Sequence, residues 1–162
     1  MLMDELNRYL RQINLPGVGV EGQEKLKNAR VLCVGAGGLG SPLLLYLAAA
    51  GIGTIGIIDH DTVELSNLHR QVLYHHPHLG SKKVMAAQQQ IRAANPGIEV
   101  NTYAERFCLD NAAALISQYD IIADCSDNFS TRYLINHICF QLKKPYVFAG
   151  VSQFEGLCTM FL

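Results

Sequence analysis

The sequence predicts an α/β fold: a doubly wound, mainly parallel sheet with helices on both faces. Two observations predict it. Short apolar segments with strand character recur along the chain, at 30–35, 54–58, 98–103, 121–125 and 146–149. Between them lie segments with the three- and four-residue apolar spacing of helices, at 41–50, 81–94, 111–118 and 130–142. Such alternation implies parallel strands joined by right-handed crossovers, and these sheets hold ligands at the carboxyl ends of their strands.

The length and charge of the chain limit its possible functions. At 162 residues it is long enough for one domain with a buried core, and 49% hydrophobic residues suit a parallel sheet covered on both faces. A formal net charge of −1 argues against binding to the phosphate backbone of nucleic acids. The longest apolar stretch, 42–53, is too short to span a bilayer, so we expect no membrane partner.

The five cysteines indicate a reducing compartment. Their number is odd, and no two of them have the Cys-x-x-Cys spacing. We interpret Cys33, Cys125 and Cys139 as reduced core thiols, because they fall in predicted strands or on the apolar face of a predicted helix. No N-terminal signal segment is recognisable, and we therefore expect a cytoplasmic protein.

A helical arm precedes the core in the predicted domain plan. Residues 3–13 have the apolar spacing of an amphipathic helix, and 21–28 predicts a second short helix. We assign 1–28 to this N-terminal arm and 29–162 to one core domain. The last segment, 154–162, predicts a strand that ends on apolar residues. Because a bare apolar edge associates readily, we expect the core to be truncated there or covered by a partner.

A glycine-rich turn separates the first predicted strand from the helix that follows it. Gly35, Gly37, Gly38 and Gly40 allow a phosphate to approach the backbone closely, and the free N–H groups of a helix start favour an anion. Asp59 follows Gly40 by nineteen residues and ends the second strand, where a carboxylate binds ribose hydroxyls. The pattern predicts a Rossmann-like fold that binds a nucleotide.

Two cations near this turn favour a triphosphate over a dinucleotide. Asn67 and Arg70 are three residues apart, so on a helical turn they share a face and resemble a phosphate clamp; the alternative is a solvated surface turn. Lys83 lies at the start of a helix that we expect Ser81 to cap, where a cation is unfavourable unless an anion compensates it. The alternative is an exposed lysine, which we prefer for Lys82.

Carboxylates follow the fourth predicted strand. Asp127 suits Mg²⁺, which takes one or two carboxylates together with phosphate oxygens; the alternative is that it caps the helix at 130–142. Asp124 has a weaker claim, since it can cap a helix or pair inside the sheet end. The chain has no Gly-x-x-x-x-Gly-Lys-Ser/Thr motif, so the predicted triphosphate site is not a P-loop.

Five motifs in order resemble the MoeB/ThiF family of adenylyltransferases, to which ubiquitin-activating enzymes are similar. They are Arg8-Tyr9-x-Arg11-Gln12-Ile13, Gly35-x-Gly37-Gly38-Leu39-Gly40, Asp59-x-Asp61-x-Val63-x-x-Ser66-Asn67-Leu68-x-Arg70-Gln71, Gly80-x-x-Lys83 and Asp124-Cys125-x-Asp127-Asn128. The resemblance implies that ATP and Mg²⁺ adenylate the C-terminal glycine of a ubiquitin-like sulfur carrier ending in Gly-Gly, with release of pyrophosphate.

The resemblance also implies the roles of individual residues. Gly38 would contact the nucleotide, Asp59 the ribose, and Asp127 the metal, with Asn128 beside the nucleotide. The groups around the phosphates would be Ser66, Asn67, Arg70 and Lys83. Arg11 would reach the ATP of a neighbouring subunit, which implies a homodimer; from the sequence alone, a surface arginine on an amphipathic helix is the alternative.

The family's C-terminal features are missing from these 162 residues. The family continues with two Cys-x-x-Cys pairs that bind zinc and, in many members, with an acceptor cysteine, so zinc is expected only if a further C-terminal part supplies the cysteines. His75-His76-Pro77-His78 invites a metal interpretation, but Pro77 favours an exposed turn.

Two other functions remain open at this point. The glycine turn and Asp59 are compatible with an NAD-dependent oxidoreductase. A truncated, non-catalytic module that binds nucleotide or dimerises is the second alternative.

Overall fold

The computed structural model describes residues 3–162, with side chains described from Glu5 onward. Its six strands form one sheet in the order β3-β2-β1-β4-β5-β6. The strands are β1 Arg30–Val34, β2 Thr54–Ile58, β3 Glu99–Tyr103, β4 Ile121–Asp124, β5 Tyr146–Ser152 and β6 Glu155–Phe161. All neighbouring strands are parallel except the β5–β6 pair. The predicted doubly wound, mainly parallel fold is confirmed.

Six α-helices accompany the sheet in the described chain. They are α1 Met3–Ile13, α2 Gly19–Asn28, α3 Gly40–Ala50, α4 Lys83–Ala94, α5 Leu109–Ser117 and α6 Phe129–Leu142. α3 and α4 pack on one face of the sheet, and α5 and α6 pack on the other. In the described part of the chain, no helix is long and apolar enough to cross a membrane.

The central strand β1 supplies apolar side chains to both faces. Val31 and Cys33 point into the core beneath α3 and α4, whereas Leu32 and Val34 point into the core beneath α5 and α6. This follows from the two-residue period of a strand. Because both faces are covered, the strand is continuously apolar rather than alternating, and that is why the sequence identified it.

Two predicted helix starts are corrected by the structure. Ser81 does not cap α4: the N-cap residue is Lys82, and the Ser81 carbonyl instead accepts a hydrogen bond from the backbone of Val63. Asn128, not Asp127, caps α6, accepting a hydrogen bond from the Thr131 N–H at 2.9 Å. The capping alternative for Asp127 is therefore wrong. The other predicted element ends agree with the observed ones to within three residues, and those of α1 and β2 coincide.

The N-terminal arm packs against the edge of the sheet where the strands begin. Gln12 donates a hydrogen bond to the Ala50 carbonyl at the end of α3 (3.1 Å). The buried Asn95, which follows α4, donates one to the Tyr9 hydroxyl (2.7 Å). α3 and α4 both begin at the carboxyl ends of the strands and run away from them. Because α1 contacts the residues at the far ends of these helices, it lies at the opposite edge of the sheet from the carboxyl ends of the strands.

The final strand forms a hairpin with β5, with a left-handed residue, Gln153, in its turn (φ 54°). The predicted strand over 154–162 is therefore confirmed, but it runs antiparallel to its neighbour. Several large apolar side chains of the hairpin are exposed, among them Val151, Phe154 and Leu157.

The cysteines of the described chain are all free thiols. Cys33 and Cys139 are buried, Cys108 and Cys125 are partly buried, and Cys158 is exposed on β6. Burial raises the pKa of the Cys139 thiol to about 12. The pKa of the Cys33 thiol is raised well above its ordinary value by the contact of Cys33 with Cys125 and by burial. The prediction of reduced core thiols holds for Cys33 and Cys139, and only in part for Cys125.

We predict that Gly56→Ala destabilises the fold by about 1–3 kcal/mol, the usual cost of overpacking a core. A Cβ at Gly56, in the middle of β2, would overlap the phenol of Tyr119, which is fully buried. Urea unfolding monitored by circular dichroism measures the change.

The matched control for this prediction is Gly97→Ala. The nearest atom to a Cβ at Gly97 is Asn95 Oδ1 at 3.6 Å, an ordinary contact. Equal unfolding midpoints for the two variants would contradict the steric argument.

Candidate functional site

A cavity of about 850 Å³ opens at the carboxyl ends of β1, β2 and β4. This volume is typical of sites for small molecules and cofactors. Most of the residues predicted from the sequence line it. They are Gly35, Gly37, Gly38, Asp59, Asn67, Arg70, Lys83, Asp127 and Asn128. Three separate stretches of chain thus bring Arg70, Lys83 and Asp127 to the same cavity.

The glycines of the turn have different tasks. Gly35 has a positive φ of 94°, and a Cβ there would lie 2.8 Å from the Cys125 carbonyl oxygen. A Cβ at Gly40 would overlap the Gly35 carbonyl. Gly40 is thus required by packing and does not line the cavity, whereas Gly37 and Gly38 do. The exposed face of the turn is therefore the part open to a ligand.

The Asp59 carboxylate is held by two backbone N–H groups. Its Oδ2 accepts a hydrogen bond from Ala36 and its Oδ1 accepts one from Asp61, each at 2.8 Å. These bonds fix the carboxylate beside the glycine turn. Each oxygen keeps a further lone pair, so the carboxylate can still accept hydrogen bonds from the hydroxyls of a bound sugar.

Lys83 is buried and forms an ion pair. Its side chain is 6% exposed, and Nζ lies 2.7 Å from Asp61 Oδ2. This hydrogen bond, with the nearby positive charge, lowers the pKa of the Asp61 carboxyl below its ordinary value. The alternative of an exposed lysine at position 83 is therefore wrong. The anion that compensates its charge within the chain is Asp61.

Lys82, the preceding lysine, is exposed as we preferred. Its ammonium donates a hydrogen bond to the His60 carbonyl (2.8 Å) and also lines the cavity. Two consecutive lysines therefore differ in burial, because one opens α4 and the other precedes it.

Arg70 lies over the glycine turn. Its Nη1 donates to the Ser66 carbonyl at 3.0 Å, and its Cδ would be 3.8 Å from a Cβ at Gly38. The short 3₁₀ turn Leu65–Asn67 positions it, because the Asn67 carbonyl accepts the Arg70 N–H. The alternative of a solvated surface turn is right in that Arg70 is exposed, but the turn that carries Arg70 faces the cavity. Ser66 does not line it.

The loop after β4 carries one buried and one exposed carboxylate. Asp124 is 1% exposed, and its Oδ1 accepts hydrogen bonds from the backbone and hydroxyl of Ser126. Burial raises the pKa of the Asp124 carboxyl above its ordinary value. Asp127 is exposed at the cavity wall. Asp124 is thus a structural group of the sheet end, and Asp127 is the carboxylate available to a ligand.

One group of metal-ligating side chains occurs among the described residues. The ligand atoms of Asp59, His60 and Asp61 lie within 4.8 Å of one another. Because the Lys83 ammonium already pairs with Asp61 at 2.7 Å, a second cation at this group would be repelled. Asp127 fits better: its carboxylate forms no ion pair with any described residue.

The histidine-rich segment is a 3₁₀ turn, His76–His78, outside the cavity. His78 is 8% exposed; its Nδ1 accepts from the His75 N–H (2.9 Å) and its other ring nitrogen lies 3.2 Å from Gln90 Nε2. The exposed-loop prediction is therefore wrong for His78, which is a hydrogen-bonded packing residue.

Arg11 lies far from this cavity. It is exposed on α1, which packs at the opposite edge of the sheet. An arginine at that edge has no access to the site of its own chain.

Gln71 and Arg132 are among the cavity residues that sequence reasoning did not assign to the site. Gln71 is 3% exposed, and its Oε1 is buried without a hydrogen-bond partner. Arg132 donates from Nη2 to the Ser126 carbonyl (3.0 Å) and stacks on Phe148. A signal existed for Arg132, because it is in the first turn of a helix that follows the carboxyl end of a strand.

Comparison with known proteins finds relatives that match nearly the whole of this chain. The chain is 50% identical over 158 residues to the sulfur carrier protein adenylyltransferase of Thermus thermophilus, covering 98% of this chain and 58% of the relative. It is also 50% identical to the probable adenylyltransferase/sulfurtransferase MoeZ of Mycobacterium tuberculosis, covering 98% of this chain and 40% of that protein. The chain thus spans about half the length of these relatives.

Solved structures share the fold. Escherichia coli tRNA N6-threonylcarbamoyladenosine dehydratase TcdA, in complex with ATP, has a TM-score of 0.85 and 27% identity, with 90% of this chain and 59% of that chain covered. Escherichia coli MccB, solved with MccA-N7isoASN, has a TM-score of 0.81 and 32% identity, with 90% and 44% covered. Residues 9–162 match the ThiF family. Since that match extends over nearly the whole chain, the protein belongs to the ThiF family.

Proposed function

We propose that the protein uses ATP to adenylate the C-terminal glycine carboxylate of a ubiquitin-like sulfur carrier, releasing pyrophosphate. The observation that carries the proposal is the convergence of Arg70, Lys83 and Asp127 on one cavity beside the glycine turn. The names of the Thermus thermophilus and Mycobacterium tuberculosis relatives support it. Since the chain spans about half of their length, the activity of the whole protein is part of the proposal.

The proposed reaction is a displacement at the α-phosphorus of ATP. A carboxylate oxygen attacks that atom, a new O–P bond forms, and the bond to the β-phosphate breaks with its electron pair leaving on pyrophosphate. No proton transfer is needed, because both nucleophile and leaving group are anions. The protein's task is therefore to position two anions and to neutralise their charge.

The side chains divide this task. Asp59 binds the ribose, while Gly37 and Gly38 admit the α-phosphate to the turn. Arg70 and Lys83, with Asn67, bind the remaining phosphates, and the proposal adds Ser66 and Asn128 to the surrounding groups. Lys83 is already held by Asp61 at 2.7 Å, so its charge needs little rearrangement when the nucleotide arrives.

Mg²⁺ is the proposed metal, and Asp127 is the residue that would hold it. The exposed carboxylate at the cavity wall matches the preference of Mg²⁺ for one or two carboxylates with phosphate oxygens and water completing the shell. When bound, the ion would neutralise charge on the phosphates. Zinc belongs to the proposal only through cysteines outside these 162 residues.

A homodimer completes the proposed site. Arg11 is exposed at the edge of the sheet opposite its own cavity, so it reaches a site only in a partner subunit. Arginine fingers supplied in trans are established in phosphoryl-transfer enzymes. The proposed location is the cytoplasm, and the proposed partners include neither nucleic acid nor membrane.

The oxidoreductase alternative has less support than adenylation. It rests on the glycine turn and Asp59 alone, and it gives no task to Arg70, Lys83 or Asp127. The relatives quoted above are named for adenylyl transfer. A non-catalytic module differs from the proposal in one measurable respect: it binds ATP but does not exchange pyrophosphate.

We predict that Asp127→Asn lowers ATP–pyrophosphate exchange by about 10²–10³-fold, the range for loss of one group that stabilises transition-state charge. The amide keeps the shape of the side chain but removes the charge that holds Mg²⁺. The assay measures incorporation of labelled pyrophosphate into ATP by the full-length protein with a carrier that ends in Gly-Gly.

The control is Asp110→Asn, an exposed aspartate on α5 outside the cavity. Wild-type exchange rates for Asp127→Asn would remove the metal role. Absence of exchange in the wild-type protein with every Gly-Gly carrier tested would overturn the proposed function.

We predict that Arg11→Ala and Asp127→Ala are each inactive but complement one another. In a mixed dimer, one of the two sites contains both an intact Arg11 and an intact Asp127. Random subunit exchange should therefore restore about a quarter of the wild-type activity, since half of the dimers are mixed and half of their sites are intact.

Exchange activity before and after mixing is the measurement. Recovery requires that the arginine acts across the subunit boundary. If Arg11→Ala alone keeps its activity, or if the mixture stays inactive although mass spectrometry detects mixed dimers, the trans role is wrong.

A further inference from the structure

We propose that Arg132 binds the carboxylate that is to be adenylated. The inference rests on the proposed function and adds a residue that fixes the second substrate. Arg132 is in the first turn of α6 and lines the cavity together with Val151 of β5. Four observations carry the inference: how the guanidinium is held, its lack of an ion pair, its position relative to the other cations, and the space left around it.

The guanidinium is held rigidly. Nη2 donates to the Ser126 carbonyl at 3.0 Å. Its central carbon lies 4.9 Å from the centre of the Phe148 ring and 5.7 Å from that of Phe129. Two aromatic contacts and one hydrogen bond fix the plane of the group, so little side-chain entropy remains to be lost when a ligand binds.

No described residue neutralises this charge through an ion pair. The Arg132 Nε is buried and has no hydrogen-bond partner. Arg132 lowers the pKa of the buried Asp124 carboxyl, but no hydrogen bond joins the two groups: Asp124 Oδ1 is bonded to Ser126 and its Oδ2 has no hydrogen-bond partner. A half-buried cation without a hydrogen-bonded anion costs free energy, and a bound anion reduces that cost.

Arg132 is separated from the cations of the predicted phosphate site. Lys83 pairs with Asp61 in the segment after β2, and Arg70 lies over the glycine turn after β1. Arg132 instead bonds to Ser126 after β4 and contacts Phe148 of β5. The proposal puts the ribose at Asp59 and the phosphates at Arg70 and Lys83. Of the other cations that line the cavity, Lys82 bonds to the His60 carbonyl and Arg106 follows β3, so Arg132 is the cation beside β5 and is assigned to the other reactant.

Gly150 leaves the edge of the guanidinium accessible. A Cβ at this position would lie 3.5 Å from both Nη1 and Nη2. A larger side chain would therefore cover the two nitrogens that form the fork of an arginine. With glycine in place, this fork can donate two parallel hydrogen bonds to a carboxylate, the geometry for which arginine is better suited than lysine.

The chemistry of the reaction suits this arrangement. The fork binds the two carboxylate oxygens of the terminal glycine and displaces their hydration water. One of these oxygens then attacks the α-phosphorus. The O–P bond forms as the bond to pyrophosphate breaks, and the other oxygen remains on Arg132 as the carbonyl of the acyl adenylate. Arg132 thereby orients the nucleophile, and Asp127 and the phosphate cations act on the leaving group.

The test compares two probes on the full-length protein: a synthetic peptide that ends in Gly-Gly with a free carboxylate, and the same peptide with a C-terminal amide. Calorimetry in the presence of a non-hydrolysable ATP analogue gives each dissociation constant. We expect the wild type to favour the carboxylate by about 10–100-fold, the worth of a hydrogen bond to a charged group. Arg132→Gln should abolish this preference, and Arg132→Lys should keep only part of it.

The controls separate this role from a structural one. Arg92→Gln, an exposed arginine on α4 outside the cavity, should keep the full preference. Gly150→Val should weaken it while Arg132 itself is intact, which covers the case in which Arg132 variants fold poorly. Affinity for the ATP analogue should change by less than about threefold in each variant, because the nucleotide contacts other residues.

Two outcomes would overturn the inference. The first is an unchanged preference for the carboxylate in Arg132→Gln. The second is a loss of ATP affinity that equals the loss of peptide affinity, which would assign Arg132 to the nucleotide. Failure of the proposed function gives a different result: the wild-type protein would then exchange no pyrophosphate with any Gly-Gly carrier, whatever residue stands at position 132.

Discussion

The contact between the glycine turn and the loop after β4 determines the shape of the cavity. Gly35 lies so close to the Cys125 carbonyl that a methyl group does not fit between them, and Gly40 packs against Gly35 in the same way. These contacts bring the start of α3 and the loop that carries Asp127 to the same edge of the sheet. The glycine turn and the loop after β4 are therefore in direct backbone contact.

The charged side chains of the cavity are distributed unequally between its two walls. The wall that follows β2 carries Arg70 and a lysine that is already paired with Asp61. The wall that follows β4 carries Asp127 and an arginine that is fixed but unpaired. Such preorganised charges stabilise a transition state because no reorientation is needed as charge develops. The unpaired guanidinium is the unusual element, since most half-buried cations have a partner within the chain.

The sequence predicted those features that depend on local patterns. The glycine turn, the strand before it and Asp59 belong to one continuous unit, and the short buried strands were recognisable from their apolar runs. The burial of Lys83 was not predicted, because its partner Asp61 is 22 residues away and only the fold brings the two together. The sequence favoured Asp127 over Asp124 for the metal, but it did not predict that the sheet buries Asp124 and exposes Asp127. The alternative N-cap of α6, Asp127, is one residue from the observed cap, since Asp and Asn cap helices about equally well.

The unequal burial of the thiols has a practical consequence for labelling. Cys33 and Cys139 are enclosed by the core with raised pKa values, and only the thiolate form reacts with electrophiles. Cys158 instead projects from the hairpin at the sheet edge. A maleimide dye added to the folded protein should therefore modify Cys158 in preference to the two core thiols, giving a fluorescent reporter on the margin where a neighbouring molecule would dock.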